Sequence, residues 1–290
     1  MTESRYLPYL LVAPALAIMA VAVAYPIGFN LFASLHRWNM LESDGPGAFV
    51  GLATLSAILV EPTFWHSVRI TLLITVVAVG LEFTLGLALA LLVNEEIHAS
   101  RFLRAILVAP IMATPLVVAL VFRLMFHGEF GVINWGLSLL GFGPVNWLSQ
   151  PGTAIFAVVS TEVWHNTSFV FLVLLGALQM LPREPYEAAT IDGASAIQKF
   201  RFITLPMLKP AILVALLFRT VFAIRIFDEI WVLTKGGPQN ATETISLLLY
   251  KSAFEVFDVA HAAGLSIVLL VMTAKLALVM IRTLYRREPT

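Results

Sequence analysis

Apolar residues in this chain come in long blocks, and short polar stretches separate them. Six blocks reach the about 20 residues a helix needs to cross the hydrocarbon core of a bilayer: Leu7–Leu35, Val68–Val93, Ala105–Phe126, Thr153–Leu178, Ala211–Leu233 and Ala260–Ile281. Helices are predicted because a spanning segment must satisfy its backbone groups internally. A barrel would instead show short segments of alternating polarity, and the blocks do not alternate. The expected fold is therefore all-α and integral to the membrane, with six transmembrane helices in one domain over residues 1–290. The first block follows a single Arg5 and contains Pro14 and Pro26. It is longer than the ~7–15-residue apolar core of a signal peptide, so it is read as a retained first span.

Composition agrees with the pattern. Hydrophobic residues make up 59% and charged residues 12% of the chain, where soluble domains run near 45–50% and about 25%. Eighteen basic and eighteen acidic side chains cancel, which excludes a strongly basic nucleic-acid surface. Cysteine is absent, so no disulfide framework, thiolate metal site or cysteine nucleophile is expected. The N-terminus, the 94–104 and 179–210 loops and the C-terminus together carry ten basic residues: Arg5, Arg101, Arg104, Arg183, Lys199, Arg201, Lys209, Arg282, Arg286 and Arg287. The opposite loops carry three, Arg37, Lys235 and Lys251. The positive-inside rule then places the first set, and both termini, in the cytoplasm. His36–Ser67 and His127–Gly152 are rich in Gly, Pro and Trp, including Trp135 and Trp147, and read as interfacial hairpins on the outer face.

The loop 181–210 is too polar to span and too patterned for a plain linker. Pro185 suits the first turn of a helix, with Glu184 and Glu187 at its positive end. That helix would stop at Asp192–Gly193, where glycine can take the left-handed terminating conformation. Ser195 with Gln198 has capping-box spacing for a second short helix, and Leu205–Pro206 would end it. The product is a helical elbow on the cytoplasmic side.

Glu187-Ala188-Ala189, then Gly193, Ile203 and Leu205-Pro206 at their spacing, resembles the EAA loop of ATP-binding-cassette (ABC) importer permeases. Thr234-Lys235-Gly236-Gly237-Pro238 is similar to the binding-protein-dependent sugar permeases of the maltose and glycerol-phosphate type, and the resemblance covers essentially the whole chain. It implies a type I importer permease fold, and a coupling helix that docks on a cytoplasmic ATPase through Glu187, Ala188, Ala189, Asp192, Gly193, Ile203, Leu205 and Pro206. It implies alternating access driven by two ATPase subunits that bind the ATP and Mg. Further partners would be a second, similar permease and an extracytoplasmic solute-binding protein, in a bacterial plasma membrane. The cargo implied is a carbohydrate or a related polyol or glycoside.

Ionisable residues at bilayer depth are costly and mark a pathway or an internal pair. Glu82, Arg123, Glu162, His165, Arg219, Arg225, Asp228, Glu229 and Lys275 are such residues. Arg225 stands three and four residues before Asp228 and Glu229, so both carboxylates would reach it on one helical face. Two readings stay open: a polar cavity with Phe222, Phe227 and Trp231 for stacking on a sugar, or an ion-pair network that fixes helix packing. Arg123, Glu162, Trp164, His165, Asn166, Arg219, Arg225, Asp228 and Glu229 form the candidate pathway. Glu162-x-x-His165 has the spacing of a di-iron half-site but occurs once, so no metal is expected. Gly86, with Ala88 and Ala90, offers a close helix contact in the second span.

No lysine follows a glycine in this chain, so it has no P-loop and is not expected to be its own ATPase. It also lacks a nucleophile elbow or a zinc-protease motif, and no catalytic activity or bound cofactor is expected. The alternatives are a secondary transporter driven by an ion gradient, which leaves the patterned loop without a purpose, and a membrane enzyme built on Glu162 and His165.

Overall fold

The computed structural model describes residues 7–95 and 101–285; Arg5, Arg286 and Arg287, and the Arg101 side chain, lie outside what is described. In chain order the helices are α1 (Leu7–Ser34), α2 (Ala53–Val60), α3 (Pro62–Glu95), α4 (Arg101–Met112), α5 (Pro115–Met125), α6 (Val132–Leu139), α7 (Pro151–Gln179), α8 (Glu184–Ile191) and α9 (Ala196–Lys199). A π-helical turn, Phe200–Thr204, leads into α10 (Leu205–Ile224), followed by α11 (Asp228–Leu233), α12 (Ile245–Phe254) and α13 (Val259–Tyr285). Among the described residues five helices are long and apolar enough to cross a membrane, and α4 with α5, bent by 100°, makes six if the pair is one broken span.

Two predicted spans are not single helices. The 105–126 block breaks at Ala113–Thr114, because the residue before a proline is driven out of the α region. Thr114 is extended (φ −75°, ψ 146°), and Pro115 starts α5. The 211–233 block is helical only to Ile224, and Phe227 (φ −140°) separates α10 from α11. At its other end this span begins earlier than hydropathy suggests, and Leu205–Pro206 does not end the second short helix as expected. Helical structure continues over the 29 residues Ala196–Ile224, through the π-helical turn, because Pro206 sits in the first turn of α10, where a proline is tolerated. The ten-residue α12 lies outside all six apolar blocks.

The chain forms two units. One comprises residues up to Trp65 together with Leu248–Met272. In it Ala260 N–H donates to the Trp38 carbonyl (3.0 Å) and Met40 N–H to that of Phe257 (2.9 Å). Gly264 lets α13 approach α2, since a Cβ there would stand 2.6 Å from Ile58 Cδ1. His261 bridges Ser252 Oγ (Nδ1, 3.0 Å) and Glu61 Oε2 (Nε2, 3.0 Å). Burial pushes the Glu61 carboxyl up, but the Thr63 hydroxyl and His261 outweigh it and hold the group below its ordinary 4.5. The most apolar stretch of α1 has no buried residue.

The other unit, His66–Leu247 with Thr273 onward, has two apolar cores. The first joins α3, α5, α7 and α11 around Ile74, Val158 and Ile230; the second joins α3, α7 and α10 around Phe171, Leu174 and Leu208. Gly86 makes the second possible: a Cβ there would lie 2.8 Å from Val170 Cβ and 3.0 Å from the Phe171 nitrogen. Ala90 is buried on that face, while Ala88 faces an apolar groove between α3, α4 and α7. In the 127–152 hairpin, Asn134 donates to the Gly128 (2.7 Å) and Val145 (3.0 Å) carbonyls and accepts from Trp147 Nε1 (2.9 Å). Trp147 thereby turns inward against the first core, whereas Trp135 stays exposed.

Candidate functional site: an intramembrane polar cavity and a helical elbow

Three spans in the second unit converge on one guanidinium. Arg219 of α10 donates through Nε to Glu82 Oε2 (2.6 Å) and through Nη2 to Glu82 Oε1 (2.9 Å). Nη2 also donates to Glu162 Oε1 of α7 at 2.8 Å. All three residues are buried, Glu82 completely. A charge out of water survives only when paired with good geometry, and the planar fork of arginine suits two carboxylates better than an ammonium would.

Beside this clasp lies a cavity of about 530 Å³. Its lining includes Glu162, His165, Asn166, Arg219, Phe222, Arg225, Asp228 and Glu229. The break between α10 and α11 shapes it, because non-helical backbone at membrane depth is tolerated where it lines a polar space. His165 Nε2 donates to the Ala113 carbonyl (3.2 Å), at the break between α4 and α5. Its Nδ1 faces Glu229 Oε1 at 3.4 Å. Asn166 donates to the Glu162 carbonyl at 3.2 Å.

The predicted pathway residues do not all meet. Arg225 caps the end of α10, and Glu229 turns to His165. Among the described residues no ion pair joins Arg225 to either carboxylate, because the helical register the pairing needed is interrupted at Phe227. Arg225 and Asp228 stand exposed on the cavity rim. Trp164 lies on the opposite face of α7, along the apolar groove and against Phe122 (5.3 Å between ring centroids). Arg123 donates to the Val232 carbonyl (3.0 Å) and ties α5 to α11. Glu82 was recognisable as a carboxylate at bilayer depth, yet its partner was not. Phe227 and Trp231 stack with ring centroids 6.2 Å apart, and Lys235 Nζ sits 5.5 Å above the Trp231 ring. Among the described residues no cluster could hold a metal ion.

At the far end of α7 and α10 the loop forms the elbow. Gly193 ends α8 with φ +76°, and Ala194 N–H returns to the Ala189 carbonyl at 2.8 Å. Ser195 and Gln198 make the capping box of α9, with bonds of 2.7 and 3.3 Å. Lys199 Nζ to Thr190 Oγ1 (3.1 Å) and Tyr186 Oη to Thr204 Oγ1 (3.0 Å) hold the two arms together. No residue of α8 is buried. Glu187, Ala188 and Asp192 are exposed with Leu205 and Pro206, while Ala189 and Ile203 are half-buried. Ile191 (87% exposed), Ile197 (78%) and Phe202 (69%) give the elbow an apolar surface.

A helical membrane subunit with a polar cavity among its spans and a preformed elbow at one end belongs to the transport machinery. This chain belongs to the family of binding-protein-dependent transport system inner membrane components, which it matches over residues 82–287. It is similar to the trehalose/maltose transport system permease protein MalF of Thermococcus litoralis, 40% identical over 97% of this chain and 95% of that one. It is similar also to the sulfoquinovosyl glycerol transport system permease protein SmoG of Agrobacterium fabrum, 35% identical over 98% of this chain and 92% of that one. The fold matches a bacterial ABC transporter involved in the import of the acidic polysaccharide alginate, with a TM-score of 0.84 at 22% identity over 98% and 96% of the two chains. The chain is a multi-pass inner-membrane permease, the non-catalytic subunit of an ABC importer.

Proposed function

We propose that this permease moves a carbohydrate, polyol or glycoside into the cytoplasm by alternating access, and that the elbow at 187–206 couples it to two separate ATPase subunits. The observation that carries the coupling is the exposure of three large apolar side chains, Ile191, Ile197 and Phe202, on a capped polar loop, where a partner surface would bury them. Glu187 lies on the same loop, free to pair with a basic residue of the ATPase. The ten-to-three excess of basic residues supports a cytoplasmic elbow and cytoplasmic termini. A second, similar permease would complete the pathway, and a solute-binding protein would deliver cargo to the outer face.

The cavity supports a polyhydroxylated cargo. Among the described residues its rim offers one unpaired cation and one unpaired anion, Arg225 and Asp228, with Phe222 and Phe227 beside them. Such a wall can hydrogen-bond hydroxyls and cover the apolar face of a pyranose. The sugars named for the relatives, trehalose, maltose and sulfoquinovosyl glycerol, are the first candidates. The decisive experiment is reconstitution of the full transporter with its binding protein in liposomes. Uptake of one of these labelled sugars should require ATP and persist when ion gradients are collapsed. Uptake by the permease alone under an ion gradient would overturn the assignment.

A further inference from the structure

The second unit holds another cavity, of about 490 Å³, that the transport pathway does not use. It opens where two spans end, at Asn94 of α3 and Gln179 of α7, beside Arg104 in the first turns of α4 and Arg183 at the start of α8. Leu91, Leu178 and Leu181 make one side apolar. No aspartate or glutamate is among the described residues that line it, and neither arginine makes an ion pair among them. Arg104 is half-buried, and its Nε is shielded from solvent with no hydrogen-bond partner among the described residues. A charged donor withdrawn from water is costly unless an acceptor meets it, so this wall of the cavity is built for an anion.

The chemistry of the wall narrows the anion. Guanidinium forks match the tetrahedral oxygens of phosphate, and basic pockets between spans on the cytoplasmic side receive phospholipid headgroups. The apolar side, at the level where spans leave the bilayer, suits the glycerol and first methylenes of such a lipid. We propose that this cavity is a phosphate-binding site held by Arg104 and Arg183, occupied by the headgroup of an anionic phospholipid. An occupant there would touch both the ends of the spans and the base of α8, and so bear on the elbow. Its cytoplasmic placement rests on the orientation proposed above; its ligand chemistry rests on the cavity alone.

The test uses the full-length permease assembled with its partner subunits in nanodiscs of phosphatidylcholine with a minor share of phosphatidylglycerol. After extraction, native mass spectrometry should find phosphatidylglycerol retained preferentially, with retention falling about tenfold in Arg104→Gln and in Arg183→Gln, the loss expected for one charge-assisted contact. Arg183 is exposed, so its replacement leaves the fold intact. If the two lipids are retained alike but inorganic phosphate binds the lipid-depleted protein and is lost in the same variants, the site stands and its source is soluble phosphate. Equal retention with no phosphate binding, or variants that change neither, overturns the proposal. So does rescue of Arg183→Glu by charge reversal of an acidic ATPase residue, which would make the cavity a protein contact. Because the chain has no cysteine, Arg183→Cys gives a unique thiol. Its labelling from the outer side of oriented vesicles would sink the orientation while leaving the phosphate chemistry untouched.

Discussion

Arg219 and Glu82, 137 positions apart in the chain, meet through two hydrogen bonds of 2.6 and 2.9 Å, and Arg219 keeps a third donor contact for Glu162. One guanidinium thus pins α3, α7 and α10 together beside the cavity. Glu82, Arg219 and Glu162 pair with one another and join three helices, while Arg225 and Asp228 line the cavity, exposed.

Arg219→Leu should be the most damaging single change in the clasp, because it orphans two buried carboxylates. Removing one partner of a buried ion pair costs about 3–5 kcal/mol. Glu82→Gln, which leaves Glu162 on the guanidinium, should cost less. Thermal unfolding of the purified protein, followed by tryptophan fluorescence, gives the order directly. An Arg219→Leu melting point equal to that of the wild type would show the clasp to be energetically idle.

Gly193 holds φ at +76° in open surroundings, with nothing within 4 Å of the point a Cβ would occupy, so the constraint is backbone conformation and not space. Gly193→Asn should keep the elbow, since asparagine tolerates the left-handed region. Gly193→Pro should destroy the turn, because proline fixes φ near −65°. ATP hydrolysis should then proceed without sugar uptake, in a protein that still inserts. Glu187→Lys should uncouple in the same way. The ratio of phosphate released to sugar accumulated in proteoliposomes measures both.

At Gly86 a larger side chain has nowhere to go. Its nearest neighbours are Val170 and the Phe171 backbone, and packed interiors do not yield by half an ångström without cost. Gly86→Val should lower stability by about 1–3 kcal/mol through overpacking, whereas Gly80→Val, at a position with nothing within 4 Å, should be near neutral. Paired melting curves for the two variants separate this contact from a general effect of losing a glycine.

Glu61 gives a pH dependence in the first unit. Its carboxyl titrates below its ordinary 4.5 when folded, so the stabilisation it brings is complete above 4.5 and is lost as pH falls through the lower, folded value. The pair is partly exposed, which limits it to about 0–1 kcal/mol. Between neutral pH and about pH 3.5, the wild type should lose more melting temperature than Glu61→Gln. Parallel losses would mean that the contact with His261 carries no net stability.

The spans were legible because hydropathy sums over some 20 residues and forgives local error. Breaks inside them are decided by one or two residues, and the two breaks differ in what announced them. Thr114 before Pro115 carried a written warning in the proline; Phe227 carried none, and assuming a continuous helix through it produced an Arg225 pairing that the structure lacks. The first arm of the elbow and the cap of the second were readable because their determinants are local: Pro185, Gly193 and the Ser195–Gln198 pair act within a few positions of one another. The stop expected at Leu205–Pro206 does not occur, since Pro206 falls in the first turn of α10. Glu82 was visibly out of place at bilayer depth, but a partner 137 residues away leaves no mark in local spacing. The cavity beside Arg104 was equally silent, since its walls come from separate helix ends far apart in the chain.

One continuous helical run, Ala196–Ile224, with a π-helical turn at Phe200–Thr204, begins in the elbow and carries Arg219 near its other end. At 1.5 Å per residue, about 35 Å of rod separates its first residue from the guanidinium. A tug on the tip of the elbow therefore needs no relay of loosely joined parts to be felt at Arg219. The residue gripping two carboxylates there rides on the same piece of secondary structure, and any stroke that tilts the rod must carry that grip with it.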